Sequence, residues 1–167
     1  MRLRTIGLMT LLWLTTSPLH AQVNLEHYLK KDGYGRIKIS PDGQYYAATV
    51  NLEDRTGIAI LRRSDKKLVT GASGRKDSVV DDFWWSGNDR IVFAQAERLG
   101  SHDQPYRTGE LFALGVQDQR VKLLVGHRGD PGLVERSGND GPWEMTDLID
   151  PLPDDPQHVL ISAWKLG

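Results

Sequence analysis

From Gly35 onward, apolar and polar positions alternate in short runs that predict β-strands. Ile37 and Ile39 make a brief alternating strand, and Tyr45 to Val50 makes the next. Between them Ser40-Pro41-Asp42-Gly43 reads as a tight turn. Proline presets φ, aspartate suits the third position, and glycine accepts the left-handed backbone that closes a hairpin. Gly57 to Leu61 and Leu68 to Thr70 supply two further strands, so one four-stranded module spans Arg36 to about Gly71.

A second module follows the same plan from Ser78 to about Gly126. Its expected strands are Val79 to Trp85, Arg90 to Gln95, Glu110 to Val116 and Val121 to Val125. Ser86-Gly87-Asn88-Asp89 stands in place of the first turn, and Glu97 to Arg107 is a polar loop. A glycine-rich stretch, Gly126 to Pro142, leads to an incomplete third module with strands at Met145 to Ile149 and His158 to Trp164. Four strands in each period of about 40 to 50 residues is the pattern of a propeller blade. Phe83-Trp84-Trp85 points bulky side chains to both faces of one strand, as does Tyr45-Tyr46-Ala47-Ala48. A sheet with one wet face would alternate cleanly, so both faces are expected to be covered. The fold expected is therefore all-β, a partial β-propeller of about two and a half four-stranded blades. A β-sandwich with aromatic outliers is the rival.

The N-terminus differs from the rest. Arg2 and Arg4 precede an apolar run from Ile6 to Leu14, and Ala21 offers a cleavage point, so residues 1–21 read as a secretory signal peptide. That run is about half the roughly 20 residues a spanning helix needs. Residues 22–35 read as a short helical lead, with Leu25, Tyr28 and Leu29 on one face of a helix from Val23 to Asp32. Residues 36–126 hold two blades, and residues 127–167 the glycine-rich loop and the incomplete third. Export predicts a periplasmic or secreted protein with no membrane association after cleavage. The chain has no cysteine, which excludes disulfides and thiol chemistry.

Composition narrows function mainly by exclusion. The 21 basic and 22 acidic residues nearly balance, without the basic clustering of a nucleic-acid groove. Among the histidines no pair has the i, i+4 spacing of a zinc site. Ser101, His102 and Asp103 are adjacent, and neighbours on an extended chain point in alternate directions and cannot form a catalytic relay. Asp140, Glu144, Asp147, Asp150, Asp154 and Asp155 lack the order of a calcium loop and suit turns instead. Trp84, Trp85, Trp143 and Trp164 are expected to pack between blades. No catalytic, cofactor-binding or metal-binding residue is assigned.

The string KISPDGQYYAATV resembles the WD40-like repeat of TolB-type propellers. DSVVDDFWWSGNDRIVFAQAERLGSHDQPYRTGELFAL resembles the N-terminal propeller of exported bacterial prolyl oligopeptidase family serine peptidases. Val79, Phe83, Trp85, Asn88, Asp89, Arg90, Ile91, Val92, Phe93, Gly109, Glu110, Leu111 and Phe112 carry the likeness, which spans about Leu25 to Ser162. The resemblance implies a scaffold that restricts a peptidase to peptide substrates. The α/β-hydrolase domain of that family would supply serine, aspartate and histidine. This sequence contains no Gly-x-Ser-x-Gly; Gly71-Ala72-Ser73-Gly74 lacks the second glycine at the right spacing. The residues singled out are therefore structural: Ser40, Pro41, Asp42 and Gly43 in the first turn, Phe83 and Trp85 in the blade core, then Asn88, Asp89, Arg90, Gly109 and Glu110. Peptide substrates belong to a full-length parent. A chain cut within a propeller is expected to self-associate through exposed blade faces. A periplasmic TolB-like module that binds a protein partner is the alternative.

Overall fold

The structure is a computed structural model that describes residues 33–100, 104–126, 135–136, 144–155 and 157–165. The expected signal peptide, the helix from Val23 to Asp32, His27, His102, His127 and Trp143 lie outside them. The described residues are all-β, in three sheets. Sheet 1 runs β1 (Tyr34–Ile39), β2 (Tyr45–Asn51), β3 (Thr56–Arg62) and β4 (Leu68–Ser73), each antiparallel to its neighbour. Sheet 2 runs β5 (Ser78–Trp85), β6 (Arg90–Glu97), β7 (Tyr106–Gly115) and β8 (Val121–Val125) in the same way. Sheet 3 is the antiparallel pair β10 (Glu144–Asp150) and β11 (Leu160–Lys165).

Two expectations need correction. β1 begins at Tyr34, inside the segment 22–35 expected as a lead to the first blade and one residue ahead of Gly35, where the strand pattern was expected to start. The glycine-rich stretch is also not wholly loop. β9 (Glu135–Arg136) pairs in parallel with β8, so sheet 2 has five strands.

The first hairpin is set by its turn. The Ser40 N–H donates to the Tyr45 carbonyl at 2.9 Å, and the Gly43 N–H to the Ser40 carbonyl at 2.9 Å. The Ser40 hydroxyl donates to Asp42 Oδ1 at 2.6 Å and accepts the Tyr45 N–H at 3.0 Å. Asp42 Oδ1 also accepts the Gln44 N–H at 3.0 Å. These bonds, that from Ser40 foremost, hold the Asp42 carboxyl below the usual carboxylate range. Gly43 has φ +72°, which only glycine adopts cheaply. The second turn does the same job in one residue fewer. The Ser86 N–H donates to Arg90, four residues on, and the left-handed glycine is Gly87 at the second position. Ser86 is thus the counterpart of Ser40, and both are buried.

The core lies between sheets 1 and 2. Ala47, Ile58 and Ile60 face Phe83, Trp85, Ile91, Phe93, Phe112, Leu114 and Leu123. The register explains the set, because Phe83 opposes Phe93 and Phe93 opposes Phe112, which puts all three on one face. The Phe93 and Phe112 rings stack with centroids 5.3 Å apart. Burying such rings drives the packing.

The sheets meet by one rule. The third strand of a sheet lies against the first strand of the next: β3 against β5, and β7 against β10. At the first meeting the Val80 N–H donates to Thr56 Oγ1 at 2.7 Å. At the second, Thr146 Oγ1 donates to the Gly109 carbonyl at 2.6 Å. Coverage stops at the ends of the stack, against the expectation that every blade face is covered. Ile37 and Ile39 on sheet 1 are 57 % and 50 % exposed, and Trp164 on sheet 3, expected to pack, is 46 % exposed.

Candidate functional site

The described residues hold one extended polar arrangement, a charged seam across the three sheets. It begins on β1. Arg36 Nη1 lies 2.6 Å from Asp82 Oδ1 and donates to the Asp81 carbonyl at 3.0 Å. Lys38 Nζ lies 3.0 Å from the same Asp82 oxygen and also donates to the Phe83 carbonyl. The lysine head sits 4.8 Å from the Phe83 ring centroid and 5.3 Å from that of Trp84, a cation–π seat. Trp85 Nε1 donates back to the Lys38 carbonyl at 3.3 Å, tying β5 to β1.

A bulge on β5 turns two consecutive acids toward different partners. Val80 opposes Gln95 and Asp82 opposes Ala94, which leaves Asp81 as the extra residue. Asp82 serves sheet 1. Asp81 Oδ2 lies 2.9 Å from Arg107 Nε on β7, and Arg107 also pairs with Asp147 on β10. One chain of charges therefore links all three sheets: Arg36 and Lys38, Asp82 and Asp81, Arg107, Asp147.

Its electrostatics suit clamping rather than catalysis. Burial pushes the Asp82 carboxyl up, but hydrogen bonds from Lys38, the Phe83 N–H and Arg36 outweigh it and hold the group below the ordinary range. For Arg107, burial favours the neutral form, while the bond to Asp147 and the nearby Asp147 and Asp81 charges more than restore the guanidinium. An Asp82 carboxylate ionised at neutral pH and held by two cations is a poor general acid, and no hydroxyl nucleophile among the described residues is bonded to it. Among the described residues, no three acidic or histidine side chains gather as a metal site. Of the acids weighed for calcium, Asp147 is spent on Arg107 and Asp155 pairs with His158 Nδ1 at 2.8 Å.

The residues singled out from the sequence fall in separate places. Ser40, Pro41, Asp42 and Gly43 form the first turn, and Phe83 and Trp85 lie in the core. Asn88 and Asp89 are exposed in the second turn, where the Asp89 carbonyl accepts the Val116 N–H at 2.7 Å, and Arg90 opens β6. Gly109 and Glu110 occupy an irregularity in β7 opposite Gln95, at the other end of that hairpin. Gly109 has φ +75°, and Thr108 Oγ1 donates to the Gln95 carbonyl at 2.9 Å to fasten the distortion. Glu110 is buried, its stem packed on Gly126, where an added Cβ would fall 2.6 Å from Glu110 Cγ. The seam itself escaped the sequence reading. Its one visible trace was Asp81-Asp82, two acids inside an otherwise apolar strand.

No protein-family model matches the chain, and no curated protein matches it. Among solved structures, a candidate conserved lipoprotein from Clostridium novyi NT shares 13 % identity over 81 % of this chain and 87 % of that one, with a TM-score of 0.46. A likeness of that degree assigns neither fold nor function.

Proposed function

We propose that this chain is a non-catalytic β-propeller segment of an exported prolyl oligopeptidase family serine peptidase, whose three sheets are successive blades. The observation that carries the blade reading is the repeated meeting of third strand and first strand, β3 with β5 and β7 with β10. A sandwich packs two sheets face to face and has no reason to repeat that relation. Propeller blades repeat it around a ring. The family assignment rests on the resemblance of residues 77–114 and on the export signal read at the N-terminus. In this reading the seam fixes the angle between blades, and the scaffold excludes folded proteins from a catalytic domain carried elsewhere. The coding sequence past Gly167 tests it. A Gly-x-Ser-x-Gly elbow within a hydrolase domain supports the peptidase reading. A stop, or an unrelated domain, overturns it and leaves a periplasmic binding module built on the same blades.

A further inference from the structure

Asp42-Gly43 in the first turn is a chemically weak dipeptide. A backbone nitrogen that follows aspartate can attack the side-chain carboxyl, and glycine, lacking Cβ, leaves that nitrogen open. The Gly43 nitrogen bonds to Asp42 Cγ, its proton and the carboxyl OH leave as water, and a five-membered imide results. Water then opens the imide. Addition at Cγ restores aspartate. Addition at the Asp42 backbone carbonyl carbon breaks its bond to Gly43 and leaves the chain running through Cβ and Cγ as isoaspartate. The two steps together change no mass, and water is the co-reactant.

The turn opposes each requirement of ring closure. Closure needs Asp42 Cβ and the Gly43 nitrogen eclipsed about the Cα–C bond. The Gly43 N–H donates to the Ser40 carbonyl at 2.9 Å and Asp42 keeps a negative φ, which makes residues 40–43 a type I turn. The third residue of such a turn has ψ of about 0°, roughly 120° away from the eclipsed arrangement. The same hydrogen bond occupies the attacking N–H. The carboxyl is held as well, because Asp42 Oδ1 accepts the Ser40 hydroxyl at 2.6 Å and the Gln44 N–H at 3.0 Å. Ser40 is 1 % exposed and its hydroxyl also accepts the Tyr45 N–H, so the clamp is anchored inside the hairpin. Loss of water needs the neutral carboxyl, and these bonds keep the group charged at neutral pH.

We propose that Asp42-Gly43 is a latent isoaspartate site, which the Ser40 clamp holds shut for as long as the first hairpin is formed. Isoaspartate adds a methylene to the backbone, so the turn cannot close again in its old geometry beside the Ile39 and Tyr46 pair. Reaction at Asp42 therefore records the opening of β1, the strand that carries Arg36 and Lys38 of the seam. The second turn lacks the weak point, because its glycine directly follows Ser86.

Ageing the purified chain at neutral pH and 37 °C tests it, with isoaspartate at Asp42 read by peptide separation and electron-transfer fragmentation. The folded wild type is expected to react at least about tenfold more slowly than the same chain in guanidinium chloride, because reaction waits on the open fraction of the turn. Ser40→Ala is expected to react about two- to tenfold faster than wild type, the factor that one net hydrogen bond sets. Thr146→Val, which loosens sheet 3 away from this turn, should leave the Asp42 rate unchanged. Far-UV circular dichroism checks the β spectrum of each variant, and the comparison of folded with unfolded wild type decides should Ser40→Ala unfold. Equal rates in the folded and unfolded chain, a folded Ser40→Ala variant at the wild-type rate, or a Thr146→Val rate as high as that of Ser40→Ala overturns the clamp.

Discussion

Thr146 donates its hydroxyl to the carbonyl of Gly109 at 2.6 Å, and this buried bond joins sheet 3 to sheet 2. Gly109 is left-handed at φ +75°, in the distorted stretch of β7. Replacing the hydroxyl with a methyl leaves a buried acceptor unpaired, which costs about 1–3 kcal/mol. Thr146→Val is therefore expected to lower the urea midpoint, and Thr146→Ser to recover most of the loss by keeping the donor.

The Gly109 backbone makes its own prediction. A side chain in the left-handed region costs about 1–2 kcal/mol. Gly109→Ala should destabilise the chain by about that amount. Gly33→Ala, at a position with open space around it, should change stability little. Denaturant unfolding of the two variants provides the comparison.

Phe83 lies fully buried where sheets 1 and 2 meet. Truncation of a buried phenylalanine costs about 3–5 kcal/mol, a large part of a small domain's stability. Phe83→Ala should unfold much of the chain at 37 °C, as seen by near-UV circular dichroism. Phe83→Leu should be milder.

The seam should be sensitive to acid and salt. The folded Asp82 carboxyl lies below its unfolded value of about 3.9, so its contribution is present above that pH and is lost as pH falls through the folded value. Asp82 is about a third exposed, so solvent screening limits the gain to about 1 kcal/mol or less. Asp82→Asn is expected to lower the urea midpoint at pH 7 and low salt. The difference should shrink at 1 M salt, and again as pH falls through the lowered Asp82 value.

How much of this was legible follows from the range of each interaction. Strand positions came from alternation within a few residues, and the Ser40–Gly43 hairpin from turn chemistry that is local to six residues. β6 and β7 each reach further than expected, to Glu97 and from Tyr106, because pairing between strands carries polar residues that alternation alone leaves in the loop. The seam joins Arg36 to Asp82 and Arg107 to Asp147, partners 40 or more residues apart, and no local pattern encodes that. β9 pairs in parallel across a sequence with no strand signal, for the same reason. Trp164 was expected to pack because tryptophan usually does, but its sheet has no neighbour beyond it among the described residues.

A nucleophile test checks the non-catalytic reading. Incubation with a serine-reactive fluorophosphonate should leave the chain unlabelled. Specific labelling, lost on a single Ser→Ala change, would contradict it.

The most direct measurement is an NMR search for short proton distances between sheets in isotope-labelled protein. Packing of third strand on first strand predicts cross-peaks between the Thr56 methyl and the Val80 amide, and between the Thr146 side chain and the Gly109–Glu110 backbone. Both together are the expected result. Absence of both from a folded, well-dispersed spectrum would contradict the repeated blade packing.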